Sequence, residues 1–183
     1  GGPSFVYDEH AAGCDAFEQT GEALTPATLD AAKAADSVLV GAMDVARLPA
    51  HATQPLRTLR RELDVGASIR PAYAYPGMNA PYGRIDTVVV REVTEGIYSG
   101  IEYAAGPDAA CSVRLITRQA SSRTAEIAFR YAAQRRGKVT AVHKLGALKL
   151  TDGLFLESAR DVAKGFPEVE FETRNIDACA LEL

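Results

Sequence analysis

The chain has 183 residues, 47% of them hydrophobic, with 20 lysines and arginines against 24 aspartates and glutamates for a formal net charge of −4. That is enough apolar material for a packed core of one domain, or of one domain with part of another. The acidic balance argues against nucleic acid or a membrane surface as partner, since either calls for a basic face, and no apolar run approaches the roughly 20 residues that cross a bilayer.

The opening "GGPSFVYDEH" lacks a basic stretch followed by an apolar one, so nothing in it directs export. Its "PSFVYDEH" alternates like a strand. "LTPATLDAAKAADSVLVGAM" then carries a helix signature, with Thr25 as N-cap and Pro26 at the first helical position, before "SVLVGAM" reads as a buried strand. An irregular piece at 44–53 leads to a helix at about 54–64, with Leu56, Leu59 and Leu63 on one face. "ASIRPAYAYPG" should be extended, because Pro71 and Pro76 keep their predecessors out of the helical region, and "APYGRID" should turn into the buried strand "TVVVRE". In residues 98–118 two alternating runs flank "AGPD", which predicts a hairpin projecting as an arm.

"SSRTAEIAFRYAAQRR" follows as an amphipathic helix capped by Ser121 or Ser122, with Ala125, Ile127, Ala128, Tyr131 and Ala132 inward. "KVTAVH" is a strand, "DGLFLESARDVAKGF" a helix closing near Gly165, "EVEFETRNI" a strand and "DACALEL" the start of a helix. Alternating strands and helices make the fold class α/β. The pattern shifts near residue 65 from tight β-α units to proline-rich extended chain, which divides the chain into 1–65 and 66–183. Cys14, Cys111 and Cys179 are odd in number and lack metal-ligand spacing, which fits reduced thiols in the cytoplasm. Basic clusters such as "LRTLRRE" and "QRRGK" read as solvated helix faces.

Several residues could carry chemistry. Arg91 ends an apolar strand, and in α/β proteins ligands bind beyond the carboxyl ends of strands, so Arg91 with Glu92, Thr94 and Tyr98 stands where a site is expected. A guanidinium there can grip a carboxylate bidentately, or it can simply pair with a structural acid. Lys144 also follows a buried strand. Partly desolvated among cations it could act as a base, and otherwise it is a solvent-exposed lysine, with His143 beside it structural. Asp177 could cap the last helix or offer a hard oxygen to a divalent cation.

Taken together, "LRRELDVGASIRP", "IDTVVVREVTEGIYSGIE", "KVTAVHKLGALKLTDGLFLESARDVAK" and "EVEFETRNIDACALEL" resemble, in this order and spacing, the isocitrate, isopropylmalate and homoisocitrate dehydrogenases, which are metal- and NAD(P)-dependent β-decarboxylating enzymes. "AAGCDAFEQTGEALTPATLDAAKAADSVLVGAM" resembles their upstream region, so the likeness covers nearly all of the chain. It implies part of an isopropylmalate-dehydrogenase-like two-domain fold with mixed sheets and a dimer-forming arm. Residues 1–65 would belong to the large, cofactor-side domain and 66–183 to the small dimerisation and substrate domain.

The same resemblance makes Arg60, Arg70 and Arg91 clamps for the substrate carboxylates. Tyr98 becomes the acid that protonates the enolate, Lys144 the lysine that helps remove the hydroxyl proton, and Asp177 a ligand of Mg²⁺ or Mn²⁺. The cofactor would be NAD or NADP, with no residue of this chain assigned to it. Lys144 and Asp177 would reach into the other subunit of a homodimer. Arg57, one helical turn from Arg60, resembles the homoisocitrate type and favours isocitrate or homoisocitrate over 3-isopropylmalate, although it could as well be exposed.

The chain also departs from the family pattern. The family's "GDGIGPE"-like and "GDILSD"-like segments are absent, as is its adenosine loop, which is the expectation for the central piece of a longer protein. Gly146 and Val93 stand where asparagine is usual. An active dehydrogenase and a catalytically silent regulatory or structural homologue are therefore both compatible with the sequence.

Overall fold

A computed structural model describes residues 2–77, 79 and 83–182. The chain forms two units, Gly1–Val65 and Gly66–Leu183.

The first unit holds three helices: α1 (Cys14–Thr20), α2 (Pro26–Ala34) and α3 (Pro55–Glu62). The sequence pattern does not predict α1. It is a short helix closed by Gly21, whose φ of 79° lets its N–H turn back to the Phe17 carbonyl. α2 starts as its sequence predicts, with the Thr25 hydroxyl accepting from the Thr28 N–H ahead of Pro26. In α3 the Gln54 side chain caps the Arg57 N–H at 2.6 Å, Leu59 is buried, and Leu56 and Leu63 are half-buried. Lys33 on α2 meets Glu62 on α3 at 3.1 Å.

Two predicted strands of this unit do not form. "PSFVYDEH" and "SVLVGAM" lie in irregular chain, with Val6 99% and Leu39 92% exposed. Alternation or apolarity sets where side chains would point, but a strand also needs a neighbour to share its ladder. Among the described residues of the first unit there is no strand to supply one.

In the second unit β1 (Ser68–Tyr73) pairs antiparallel with β2 (Asp86–Arg91). Of the predicted turn "APYGRID", residues 80–82 lie outside the described residues. β2 is not buried on both faces as its apolar run suggests: Val88 and Val90 are half-buried while Val89 is 50% exposed. β3 (Glu102–Ala104) and β4 (Ala110–Ser112) make the antiparallel hairpin expected around "AGPD". Helix α4 (Arg118–Ala133) packs on α5 (Lys149–Ala163), and β5 (Lys138–His143) runs parallel to β6 (Glu170–Asn175), followed by α6 (Ile176–Glu182).

The core lies beneath α4. Phe129 is fully buried and stacks on Phe166 at 5.4 Å, with Phe171 at 5.5 Å and Val139, Val162 and Val169 around it. This shifts the predicted inward face. Ala125 and Ala132 are buried as read, but Ala120, Thr124 and Phe129 complete the stripe, and Tyr131 is 40% exposed. The cap of α4 is Thr117, whose hydroxyl accepts from the Ala120 N–H, whereas Ser121 is buried one turn inside the helix. α5 likewise begins at Lys149, before the predicted "DGLFL".

Candidate active site

The polar run after Arg91 divides into a structural part and an outward-facing part. Glu92 Oε1 accepts from the Thr94 N–H at 2.7 Å and from the Thr94 hydroxyl at 2.5 Å, and Oε2 accepts from the Glu95 N–H at 2.9 Å. Glu95 in turn accepts from the Thr117 N–H at 2.8 Å and the Thr117 hydroxyl at 2.6 Å. These carboxylates clip the loop shut and fasten it to the start of α4. Glu92 and Thr94, which the sequence places in the site, are by their hydrogen bonds its scaffold. Glu95 could have been suspected only by knowing that Thr117, far along the chain, caps α4.

Held by that loop, Arg91 Nη2 donates to the Tyr98 hydroxyl oxygen at 2.6 Å, with the guanidinium 5.2 Å from the ring centroid. Arg70 joins them through the strand register. Ser68 stands opposite Arg91 and Arg70 opposite Val89, and directly opposed residues of an antiparallel pair share a face. Arg70 and Arg91 are therefore diagonal neighbours on one exposed face, and Arg70 Nε donates to Ser68 Oγ on that face at 3.3 Å. Two guanidinium groups and a phenol present a surface suited to a polycarboxylate.

Lys144 and Asp177 form a second pair. In the parallel register His143 stands opposite Asn175, so Lys144 and Asp177 leave the carboxyl ends of neighbouring strands, and their side chains make an ion pair. Asp177 is not the cap of α6: the Asn175 side chain accepts from the Asp177 N–H at 2.9 Å and leaves the Asp177 carboxylate to Lys144. His143 is structural, its Nδ1 accepting from the Leu145 N–H at 3.1 Å.

A cleft of about 950 Å³ in the second unit is lined by β2, β5 and β6 and includes Arg91 and Tyr98 in its wall, but not Lys144 or Asp177. The structure thus gathers five predicted residues into two groups, Arg70, Arg91 and Tyr98 in one and Lys144 and Asp177 in the other. Arg57 and Arg60 lie on α3 of the first unit, one turn apart, with Arg57 exposed and Arg60 half-buried.

A divalent cation needs several hard oxygens. Among the described residues no three histidine, cysteine, aspartate or glutamate side chains cluster to hold one. Asp177 alone does not fit a complete Mg²⁺ or Mn²⁺ site.

Of the two departures from the family pattern, Val93 is buried at 3% exposure. Gly146 is exposed, and a Cβ built on it would meet nothing within 4 Å.

The second unit is thus an α/β unit with an acid–base pair at parallel strand ends and two arginines on one sheet face. The model of the isocitrate/isopropylmalate dehydrogenase family matches residues 2–183, and the chain belongs to that family. It is 42% identical over 180 residues to a 3-isopropylmalate dehydrogenase of Archaeoglobus fulgidus, an alignment covering 98% of this chain and 53% of the relative. It is 44% identical over 126 residues to an NAD isocitrate dehydrogenase regulatory subunit 1 of Arabidopsis thaliana, covering 68% of this chain and 34% of that protein. The crystal structure of isocitrate dehydrogenase from Methylococcus capsulatus superposes with a TM-score of 0.85 at 39% identity, covering 94% of this chain and 52% of that one. The chain spans about half the length of the curated relatives it matches over nearly all of its own length.

Proposed function

We propose that the protein to which this chain belongs is a metal-dependent, NAD(P)-linked dehydrogenase. It would oxidatively decarboxylate a 2-hydroxy-3-carboxy acid, with isocitrate or homoisocitrate favoured over 3-isopropylmalate. The observation that carries this reading is the contact of Arg91 with Tyr98 on the sheet face that also bears Arg70.

Each group has a task for which its chemistry suits it. Arg70 and Arg91 hold the substrate's carboxylates as bidentate partners, and the family resemblance gives Arg60 the same task. Arg57, beside it on the same helix, reads a distal carboxylate and so favours a tricarboxylate. Lys144, as the neutral amine, would take the proton of the substrate hydroxyl and Asp177 would hold the ammonium so formed; a bound nicotinamide would supply the hydride acceptor. After carbon dioxide departs, Tyr98 gives its proton to the enolate carbon, and Arg91 stabilises the phenol oxygen as charge develops there. Asp177 would offer one oxygen to Mg²⁺ or Mn²⁺ when it is not paired with the Lys144 ammonium.

Lys144 and Asp177 do not line the cleft that holds Arg91 and Tyr98, which supports a site completed by a second subunit. The arm supplies a surface for that contact, since Ile97, Ile101, Tyr103, Val113 and Leu115 are all exposed along it. We place the homodimer interface there, in a protein of the cytoplasm.

A second reading, a silent regulatory or structural homologue, is favoured by Val93 and Gly146, which bring no hydrogen-bonding side chain to two places where the family pattern has asparagine. The deciding experiment is to follow NAD(P)H formation by the full-length protein with Mg²⁺ or Mn²⁺ and each of isocitrate, homoisocitrate and 3-isopropylmalate. Turnover with either tricarboxylate supports the first reading, and absence of turnover with all three supports the second.

A further inference from the structure

Asp152 is a buried carboxylate in the first turn of α5, at 3% exposure, and no task has yet been given to it. A charge in such a place is costly unless every lone pair is matched, and an apolar side chain would pack there at less expense. Its partners are specific. Oδ1 accepts from Arg114 Nη1, which also donates to the Thr151 hydroxyl at 2.9 Å, and Oδ2 accepts from the backbone N–H of Lys144 at 2.5 Å.

The other end of the Lys144 residue is fixed as well. Its carbonyl accepts from the N–H groups of Ala147 and Leu148, at 3.0 and 2.9 Å. The Lys144 backbone is therefore held at N–H and C=O, and its side chain is what remains to reach Asp177. Arg114 lies just after β4, so the clamp also ties the foot of the arm to the lysine.

We propose that Asp152, secured by Arg114, is the positioning residue that aims Lys144 at the carboxyl ends of β5 and β6. This rests on the role given to Lys144 above only where turnover is concerned; the placement of the lysine against Asp177 is a separate and directly testable matter.

The test uses the full-length protein freed of metal by a chelator and treated with a zero-length carbodiimide, which joins an amine to a carboxylate in contact. Peptide mass spectrometry should find the Lys144–Asp177 cross-link in the unaltered protein. In Asp152→Asn its yield should fall about tenfold, because two groups no longer aligned lose effective concentration. Arg114→Gln, at a half-exposed position, should lower it less and in the same direction, and serves if Asp152→Asn does not fold. An undiminished cross-link in the folded variants overturns the proposal.

Kinetics separate this from the catalytic reading. Asp152→Asn should lower kcat by about 10–100-fold with KM nearly unchanged, and should cause no further loss in a Lys144→Met background. A loss fully additive to that of Lys144→Met overturns the proposal, since Asp152 would then act elsewhere. Full turnover by Lys144→Met alone overturns the role of the lysine and leaves the cross-link to decide its positioning.

Discussion

The Lys144 ammonium is paired with the Asp177 carboxylate across the carboxyl ends of two neighbouring parallel strands. Both side chains are substantially exposed, at 41% and 66%, and an ion pair of this kind contributes only about 0–1 kcal/mol to stability. Lys144→Met and Asp177→Asn should therefore each shift the thermal midpoint by less than about 4 °C. If the pair serves proton transfer, the same variants lower kcat by about 10²–10⁴-fold. Calorimetric melting beside steady-state kinetics checks this, and a large drop in the midpoint with intact turnover would make the pair structural.

Arg91 donates to Tyr98, and its planar fork suits a carboxylate in a way that a lysine does not. Arg91→Ala should weaken tricarboxylate binding by roughly 10–100-fold, as for a lost charge-assisted contact of about 1.5–3 kcal/mol. Arg91→Lys should recover only part of it. Titration calorimetry with isocitrate and homoisocitrate measures the change, and an unaltered affinity in Arg91→Ala would remove the clamp.

Tyr98→Phe keeps the ring under the Arg91 guanidinium and deletes the proton donor. The expected outcome is a fall in kcat of about 10²–10⁴-fold with KM little changed. Carbon dioxide release measured beside proton incorporation into the product should then show the second step lagging behind the first.

Gly146 has open space around it, so Gly146→Asn should alter the unfolding free energy by no more than about 0.5 kcal/mol. In an active dehydrogenase this variant should change the preference among the three acids. In a silent homologue turnover should remain absent, and parallel assays of the two proteins discriminate the cases.

The Asp152 carboxyl has a pH consequence. Burial pushes its pKa up, but the Lys144 backbone N–H and then the Arg114 guanidinium outweigh burial and hold it below the ordinary aspartate value. A folded pKa below the unfolded one stabilises the protein above the unfolded pKa, and that stability is lost as pH falls through the folded pKa. Denaturant melts should therefore show an acid limb beginning near about pH 4 and steepening below it. Asp152→Asn should flatten that limb, and an unchanged slope would contradict the ionised, clamped state.

Phe129 anchors the core of the second unit. Phe129→Ala removes a fully buried ring and should cost about 3–5 kcal/mol, read as a lowered denaturation midpoint.

Local chemistry made much of this chain legible. Thr25 and Pro26 announced α2, the prolines of "SIRPAYAYP" announced extended chain, and "AGPD" between alternating runs announced the β3–β4 hairpin, because each depends on the dihedral preferences of a few adjacent residues. Arg91, Tyr98, Lys144 and Asp177 could be singled out from motif and spacing alone. What needed the fold was every relation between residues distant in sequence. "SVLVGAM" reads as a strand by composition, yet a strand exists only with a partner, and none of the described residues of its unit offers one.

The cap of α4 passed to Thr117 because Glu95 holds that residue from across the loop, and the same loop turned Glu92 from a candidate site residue into a clip. Sequence determined which functional groups the chain carries and the local conformations their neighbours prefer. Tertiary structure decided which of those groups meet: Arg70 shares a face with Arg91 through strand register, and Lys144 meets Asp177 through parallel pairing. Hydrogen bonds and ion pairs act over a few ångströms, and only the folded backbone fixes which residues come within that reach.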